Sequence, residues 1–161
     1  MTTLPSFAQR LEQELPVLFA YIGWADNYDG TEAISGNFAW LYDHPTDNAE
    51  SAAFQRDTDG YFYCGVGRGN LGVEVLHVVF VAREHPGDDR KVVGLYAAAE
   101  PCPGDGTWMN VKARYAHRFA LQERQRVPYW PGTQGMRRWA SRSDKKDHPE
   151  LHEFFWGLRH V

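Results

Sequence analysis

The segment Val75-Leu76-His77-Val78-Val79-Phe80-Val81-Ala82 constrains the chain more than any other. It is apolar at every position except His77, and β-branched or aromatic residues dominate it. A strand with one wet face alternates apolar and polar residues; this one does not, so both of its faces must be covered. It therefore belongs at the centre of a sheet. His85-Pro86-Gly87-Asp88-Asp89 carries the residues of a tight turn, and Lys91 to Ala99 resumes an apolar pattern. The two runs are expected to be antiparallel neighbours.

Around this pair the chain, 161 residues long, reads as a single domain spanning 1–161. Apolar positions Phe7, Leu11 and Leu15 recur near helical spacing, which predicts a short helix over Leu4 to Leu15 closed by Pro16. Strands are predicted at Val17 to Trp24, Asn37 to Tyr42, Tyr61 to Val66, Met109 to Arg114 and Arg118 to Leu121. The turn Asp57-Thr58-Asp59-Gly60 introduces the third of these. Asp147 or His148 can cap a C-terminal helix of about 149–158, with Pro149 in its first turn and Leu151, Phe154, Phe155 and Leu158 on its apolar face. Ser141 to Asp147 reads as a hinge. Short strands punctuated by turns predict an α+β fold, a small mixed β-barrel with flanking short helices.

Several function classes are missing their signatures. Neither a phosphate-binding G-x-x-x-x-G-K-[ST] loop nor a dinucleotide G-x-G-x-x-G occurs, and Gly65-Val66-Gly67-Arg68-Gly69 is read as a strand end and turn. His148 and His152 are four apart, but no further metal ligand is evident nearby, so no metal and no cofactor are expected. His77 and Cys64 fall in strands and are read as packed residues. No catalytic group is assigned. Two cysteines and no membrane-length apolar run suit a cytoplasmic, reducing setting without membrane attachment.

Charge is distributed unevenly. Ten of the seventeen Lys and Arg residues lie between Lys112 and Lys146, where Glu123 and Asp144 are the only acids, although the whole chain carries −4. Within that window, Arg124 to Trp139 interleaves cations, aromatic rings and Pro/Gly turns. Guanidinium groups can neutralise phosphates and aromatic faces can stack bases. The same composition also describes a solvated basic face with buried tryptophans.

Three stretches resemble one family. Val17 to Gly30 is similar to a V-L-F-x-x-I-G-W-x-x-x-Y-x-G segment in an N-terminal domain of HNH-type endonucleases. Glu50 to Gly67, with Phe54 and Gly60-Tyr61-Phe62-Tyr63-Cys64-Gly65-Val66, resembles its E-x-x-N-F…G-x-x-Y-G-Y-V stretch. Val78 to Ala82 followed by Val92 to Ala99 resembles its V-V-W-V-A…V-V-G-W-Y-x-N-A hairpin. The resemblance covers roughly Val17 to Trp139 and implies a PUA-like module related to EVE and YTH domains, which bind modified bases in an aromatic-lined pocket. No HNH motif is present, so a nuclease domain or subunit is the implied partner, with modified DNA (modified cytosine above all) favoured over RNA. Departures include Ser35-Gly36-Asn37 for a G-G-G step, Leu95-Tyr96 for W-Y and Ala97-Ala98 for N-A.

An extruded base needs walls, edge readers and phosphate contacts. Trp24, Tyr28 and Trp40 are the candidate walls, followed by Trp130 and Trp139. Asn27 and Asn37 are the candidate edge readers, because a side-chain amide both donates and accepts. Arg124, Arg126, Arg137, Arg138 and Arg142 are the candidate phosphate contacts. Trp24, after Gly23 and before a polar run, is expected on a rim with its ring face open. Two other readings stay open: a small-molecule or protein-binding barrel, and a hydrolase built on His77 or His148.

Overall fold

A computed structural model describes residues 7–29, 53–65, 74–85, 87–102, 111–128, 137–141 (through the backbone only) and 148–158. Helix α1 (Phe7–Leu11) is followed by strands β1 (Val17–Tyr21), β2 (Phe62–Cys64), β3 (Leu76–Ala82), β4 (Lys91–Pro101), β5 (Val111–Ala113), β6 (Tyr115–Arg118) and β7 (Arg137–Ser141), then helix α2 (Pro149–Leu158). The seven strands form one mixed sheet in the order β2-β5-β4-β3-β1-β7, with β6 also paired to β4. Parallel pairing of β1 with β3 sets Val17 opposite His77 and Tyr21 opposite Val81, while β7 runs antiparallel along the other edge of β1.

β3 is buried at all seven positions, as its unbroken apolar run requires. It pairs antiparallel with β4, from Leu76 opposite Ala99 to Ala82 opposite Lys91. One cover is an aromatic cluster in which Phe54 meets Tyr28, Phe80 and Tyr96 edge to face, with ring centroids 5.4, 5.7 and 6.0 Å apart. The other consists of Leu11, Phe119, Val127 and the α2 residues Leu151, Phe155 and Leu158, packed on Phe19, Val79, Val81 and Leu95. Alternate β3 residues serve the two clusters, Val78 and Phe80 the first and Val79 and Val81 the second.

His77 is the polar exception in β3 and is 1% exposed. The Ala98 N–H donates to its Nδ1 (3.1 Å), and its Nε2 lies 3.0 Å from the Gln13 carbonyl oxygen. Because Nδ1 accepts, the proton belongs on Nε2, which donates to Gln13. Ala98 has φ +49°, and the β3–β4 register shifts between Leu76 and Val78. The imidazole thus satisfies the backbone N–H where β4 bulges. Its ring stacks on Phe155 with centroids 5.5 Å apart.

The mixed α+β class holds. Pairings that would close a barrel are not present among the described residues, where β2 and β7 stand at opposite ends of the strand order. Helix α1 ends at Leu11 rather than continuing to Leu15; the start expected at Leu4 lies outside the described residues. The strand expected over Arg118 to Leu121 is displaced: β6 ends at Arg118, and Leu121–Glu123 forms a 3-10 turn in which the Glu123 carboxylate accepts from the Ala120 N–H at 3.4 Å. β7 was not anticipated, and it begins the chain's return beside β1. The strand expected at Asn37 to Tyr42 lies outside the described residues.

Candidate functional site

The backbone runs on from β1 through Ile22, whose N–H donates to the Val81 carbonyl at 2.8 Å, and then turns at Gly23. The Tyr28 hydroxyl donates to the Gly23 carbonyl at 2.6 Å and closes this turn, with Tyr28 itself at φ +49°. Trp24 lies inside it, 6% exposed, and its Nε1 donates to Asp26 Oδ1 at 3.1 Å. The Arg124 guanidinium covers the indole, Cζ being 4.5 Å from the Trp24 ring centroid and 5.5 Å from that of Tyr28.

Arg124 is itself 6% exposed. Its Nε donates to the Phe119 carbonyl at 3.1 Å and its Nη2 to the Asp26 carbonyl at 3.0 Å. A charge so far from water needs acceptors and a polarisable neighbour, and two carbonyls and two aromatic faces meet that need. This corrects two sequence expectations. The Trp24 face is covered rather than open, and Arg124 is turned into the protein rather than toward phosphate. Tyr28, expected as a pocket wall, is fully buried against Phe54.

Beside this cluster the β3–β4 hairpin shapes a recess of about 240 Å³ lined by Trp24, Glu84, Asp88, Asp89 and Lys91. Arg126 stands next to it, exposed, with Nε 3.4 Å from Asp89 Oδ1. Arg83 donates from Nε to the Tyr21 hydroxyl at 3.0 Å, and the Arg90 guanidinium lies 5.3 Å from the Tyr21 ring centroid. The recess thus offers three carboxylates as acceptors, one ammonium as donor and an indole in its wall. Among the described residues no group of His, Cys, Asp and Glu is arranged to hold a metal ion.

Other predicted residues fall in different places. Asn27 is exposed, and its backbone carbonyl accepts from the Arg118 guanidinium. Arg137, Arg138 and Trp139 are in β7 opposite Ala20, Phe19 and Leu18, which brings this part of the basic window beside β1. Asn37, Trp40, Trp130 and Arg142 lie outside the described residues. Cys64 is buried in the first core cluster, as a small apolar residue would be. His148 precedes α2, while His152 within it meets the Trp156 indole N–H through Nε2.

Sequence reasoning missed the hairpin acids as pocket residues, because Asp88 and Asp89 are accounted for by their turn. It also missed a set of rings and cations on β2 and β5. Alternation in Tyr61-Phe62-Tyr63-Cys64 and Val111-Lys112-Ala113-Arg114 is the signal that could have found it. No helix among the described residues is long and apolar enough to cross a membrane. No family model, curated protein or solved structure matches this chain.

Proposed function

We propose that this chain is a non-catalytic nucleic-acid reader that receives a modified base, a modified cytosine in DNA foremost, and serves a nuclease carried elsewhere. One observation carries the reading. Trp24 lines a recess at the end of β1, and β7 begins with Arg137 opposite Ala20 at that same end. Indole, carboxylates and basic strand are thereby close in one region.

The chemistry suits an extruded base. Carboxylates accept from the exocyclic amine of cytosine, the uncovered edge of the Trp24 indole gives the recess an apolar wall, and edge hydrogen bonds with phosphate contacts offset the few kcal/mol that unstacking costs. Arg124 acts from behind, fixing the indole rather than touching the ligand. Arg126, at the recess margin, is the described residue best placed for a phosphate. A closed PUA-like barrel belongs to the same proposal.

Binding of the intact protein to matched oligonucleotides tests this reading. The set carries unmodified, 5-methyl and 5-hydroxymethyl cytosine and N6-methyladenine. One modification is expected to bind at least tenfold more tightly than its unmodified match. Equal affinity across the set would remove the base-reading role.

The three recess carboxylates favour a second reading, a small cationic ligand held without nucleic acid. A simple alkylammonium compound that binds, with no oligonucleotide competing, would select it.

A further inference from the structure

The register of β2 with β5 sorts their side chains between two faces. Cys64 pairs with Val111 and Phe62 with Ala113, and these four pack in or against the first core cluster. Tyr63 pairs with Lys112 between them. Successive strand residues point to opposite sides, so Tyr61, Tyr63, Lys112 and Arg114 emerge together on the far face. The Tyr61 and Tyr63 ring centroids are 6.3 Å apart at an interplanar angle of 52°. Lys112 Nζ lies 4.6 Å and Arg114 Cζ 4.5 Å from the Tyr61 centroid.

We propose that this face binds a single-stranded nucleic-acid segment, with neighbouring bases stacked on Tyr61 and Tyr63 and phosphates met by Lys112 and Arg114, whose long side chains leave the Tyr61 ring to the base as they turn to the phosphates. The inference rests on the nucleic-acid reading above but not on the recess: it supplies a contact for the strand that flanks the extruded base. Aromatic rings spaced along a strand, with guanidinium planes beside them, are how sheet surfaces hold splayed bases.

The acids in this region shape the expectation. Asp59 Oδ1 accepts from the Tyr61 N–H at 2.9 Å and its Oδ2 from the Tyr63 hydroxyl, so that carboxylate holds both tyrosines in place. Asp57 caps its own turn through the Thr58 N–H at 2.7 Å. Glu100 lies opposite Lys112 in β4 and offsets part of its charge. Affinity should therefore come more from stacking than from phosphate neutralisation. An acidic peptide fits poorly, since it would meet these carboxylates and leave the rings unused.

The test is fluorescence anisotropy of the intact chain with a short unmodified oligothymidylate, alongside the modified and unmodified duplexes. Tyr61→Leu keeps an apolar side chain without the ring, and should weaken oligothymidylate binding roughly tenfold, as for one stacked base. The double variant Lys112→Gln/Arg114→Gln, at solvent-facing positions, should reduce the salt slope by about 1.4, as for two phosphates on a single strand. Preference between modified and unmodified duplex should stay unchanged in both. Absence of oligothymidylate binding by the unaltered protein, or unchanged binding by the folded double variant, overturns the proposal. Displacement by polyglutamate at equal concentration overturns it in favour of an acidic peptide. A protein that binds oligothymidylate through these residues yet ignores base modification keeps the platform and loses the base-reading role; the converse result keeps base reading alone.

Discussion

The Phe54 ring is pressed so closely onto Gly94 that a β-carbon at the glycine would lie 2.1 Å from Phe54 Cζ and 2.7 Å from the His117 carbonyl oxygen. The absence of a side chain at one position of β4 thus makes room for the ring at the centre of the aromatic cluster. The ring cannot swing aside, because Tyr28, Phe80 and Tyr96 surround it and the Tyr96 hydroxyl donates to the neighbouring Ala53 carbonyl. Gly94→Ala is expected to cost about 1–3 kcal/mol, the usual penalty for overpacking. Thermal denaturation would record it, at roughly 2–4 °C per kcal/mol for a chain of this size. Adding Phe54→Leu should then cost less in the Gly94→Ala protein than alone.

Arg124→Ala should destabilise the fold by about 2–4 kcal/mol, since it removes two charge-assisted hydrogen bonds and a desolvated cation–π contact. Arg124→Lys should recover little, because an ammonium cannot lie flat on the indole and reach both the Phe119 and Asp26 carbonyls. Arg126→Ala removes only an exposed ion pair and should cost under about 1 kcal/mol. In nucleic-acid binding the order reverses: Arg126→Ala lowers the salt slope by about 0.9 on duplex DNA. Denaturant melts and salt titrations of the three variants check both halves.

Tyr63 and Asp59 make a pH-dependent pair. The hydrogen bond to the Asp59 carboxylate pushes the Tyr63 phenol up to about 12, and the same bond holds Asp59 below the usual carboxylate range. The Asp59 contribution is present above its unfolded pKa and lost as pH falls through the lowered folded value. That of Tyr63 is present below the ordinary phenol pKa and lost as pH rises toward 12. Ultraviolet titration should show the Tyr63 phenol ionising late, as burial also makes Tyr96 do, and Asp59→Asn should return the Tyr63 phenol alone toward 10.0. An unchanged titration curve in Asp59→Asn would refute the pairing.

His77 and Ala98 give opposite expectations from one bulge. Ala98 occupies the left-handed region at φ +49°, where a β-carbon is unfavourable by about 1–2 kcal/mol. Ala98→Gly should accordingly be neutral or stabilising by up to about 1 kcal/mol. His77→Ala should cost about 2–4 kcal/mol, because it opens a cavity beside Phe155 and leaves the Ala98 N–H without its acceptor. Chemical denaturation of the two variants separates them by sign.

How much the sequence discloses depends on whether a local pattern decides the outcome. The unbroken run at Leu76–Ala82 and the turn after it are legible because burial on both faces leaves no other use for them. Arg137–Ser141 is not, since a basic run looks like surface until the edge of β1 is there to pair with it. Trp24 is legible as a residue of interest from Gly23 before it and the polar run after it. Its covering is not, because Arg124 arrives from beyond β6, and no spacing rule distinguishes an arginine that stacks inward from one that faces phosphate. The hairpin acids Asp88 and Asp89 are hidden in another way: turn chemistry explains them fully and masks their place around a recess.

The parallel pairing of β1 with β3, and its antiparallel pairing with β7, set an order of events during synthesis. β3 and β4 are joined by a tight turn and can zip as soon as both have emerged, whereas β1 is made early and finds both neighbours late. Until Arg137–Ser141 has been translated, one backbone edge of β1 lacks the strand that finally covers it. A ribosome stalled before that point would present an apolar strand, Val17–Tyr21, with an exposed ladder of hydrogen-bonding groups. The danger of mispairing along this edge of β1 therefore lasts until Arg137–Ser141 has emerged, and the pairing of β7 with β1 ends it.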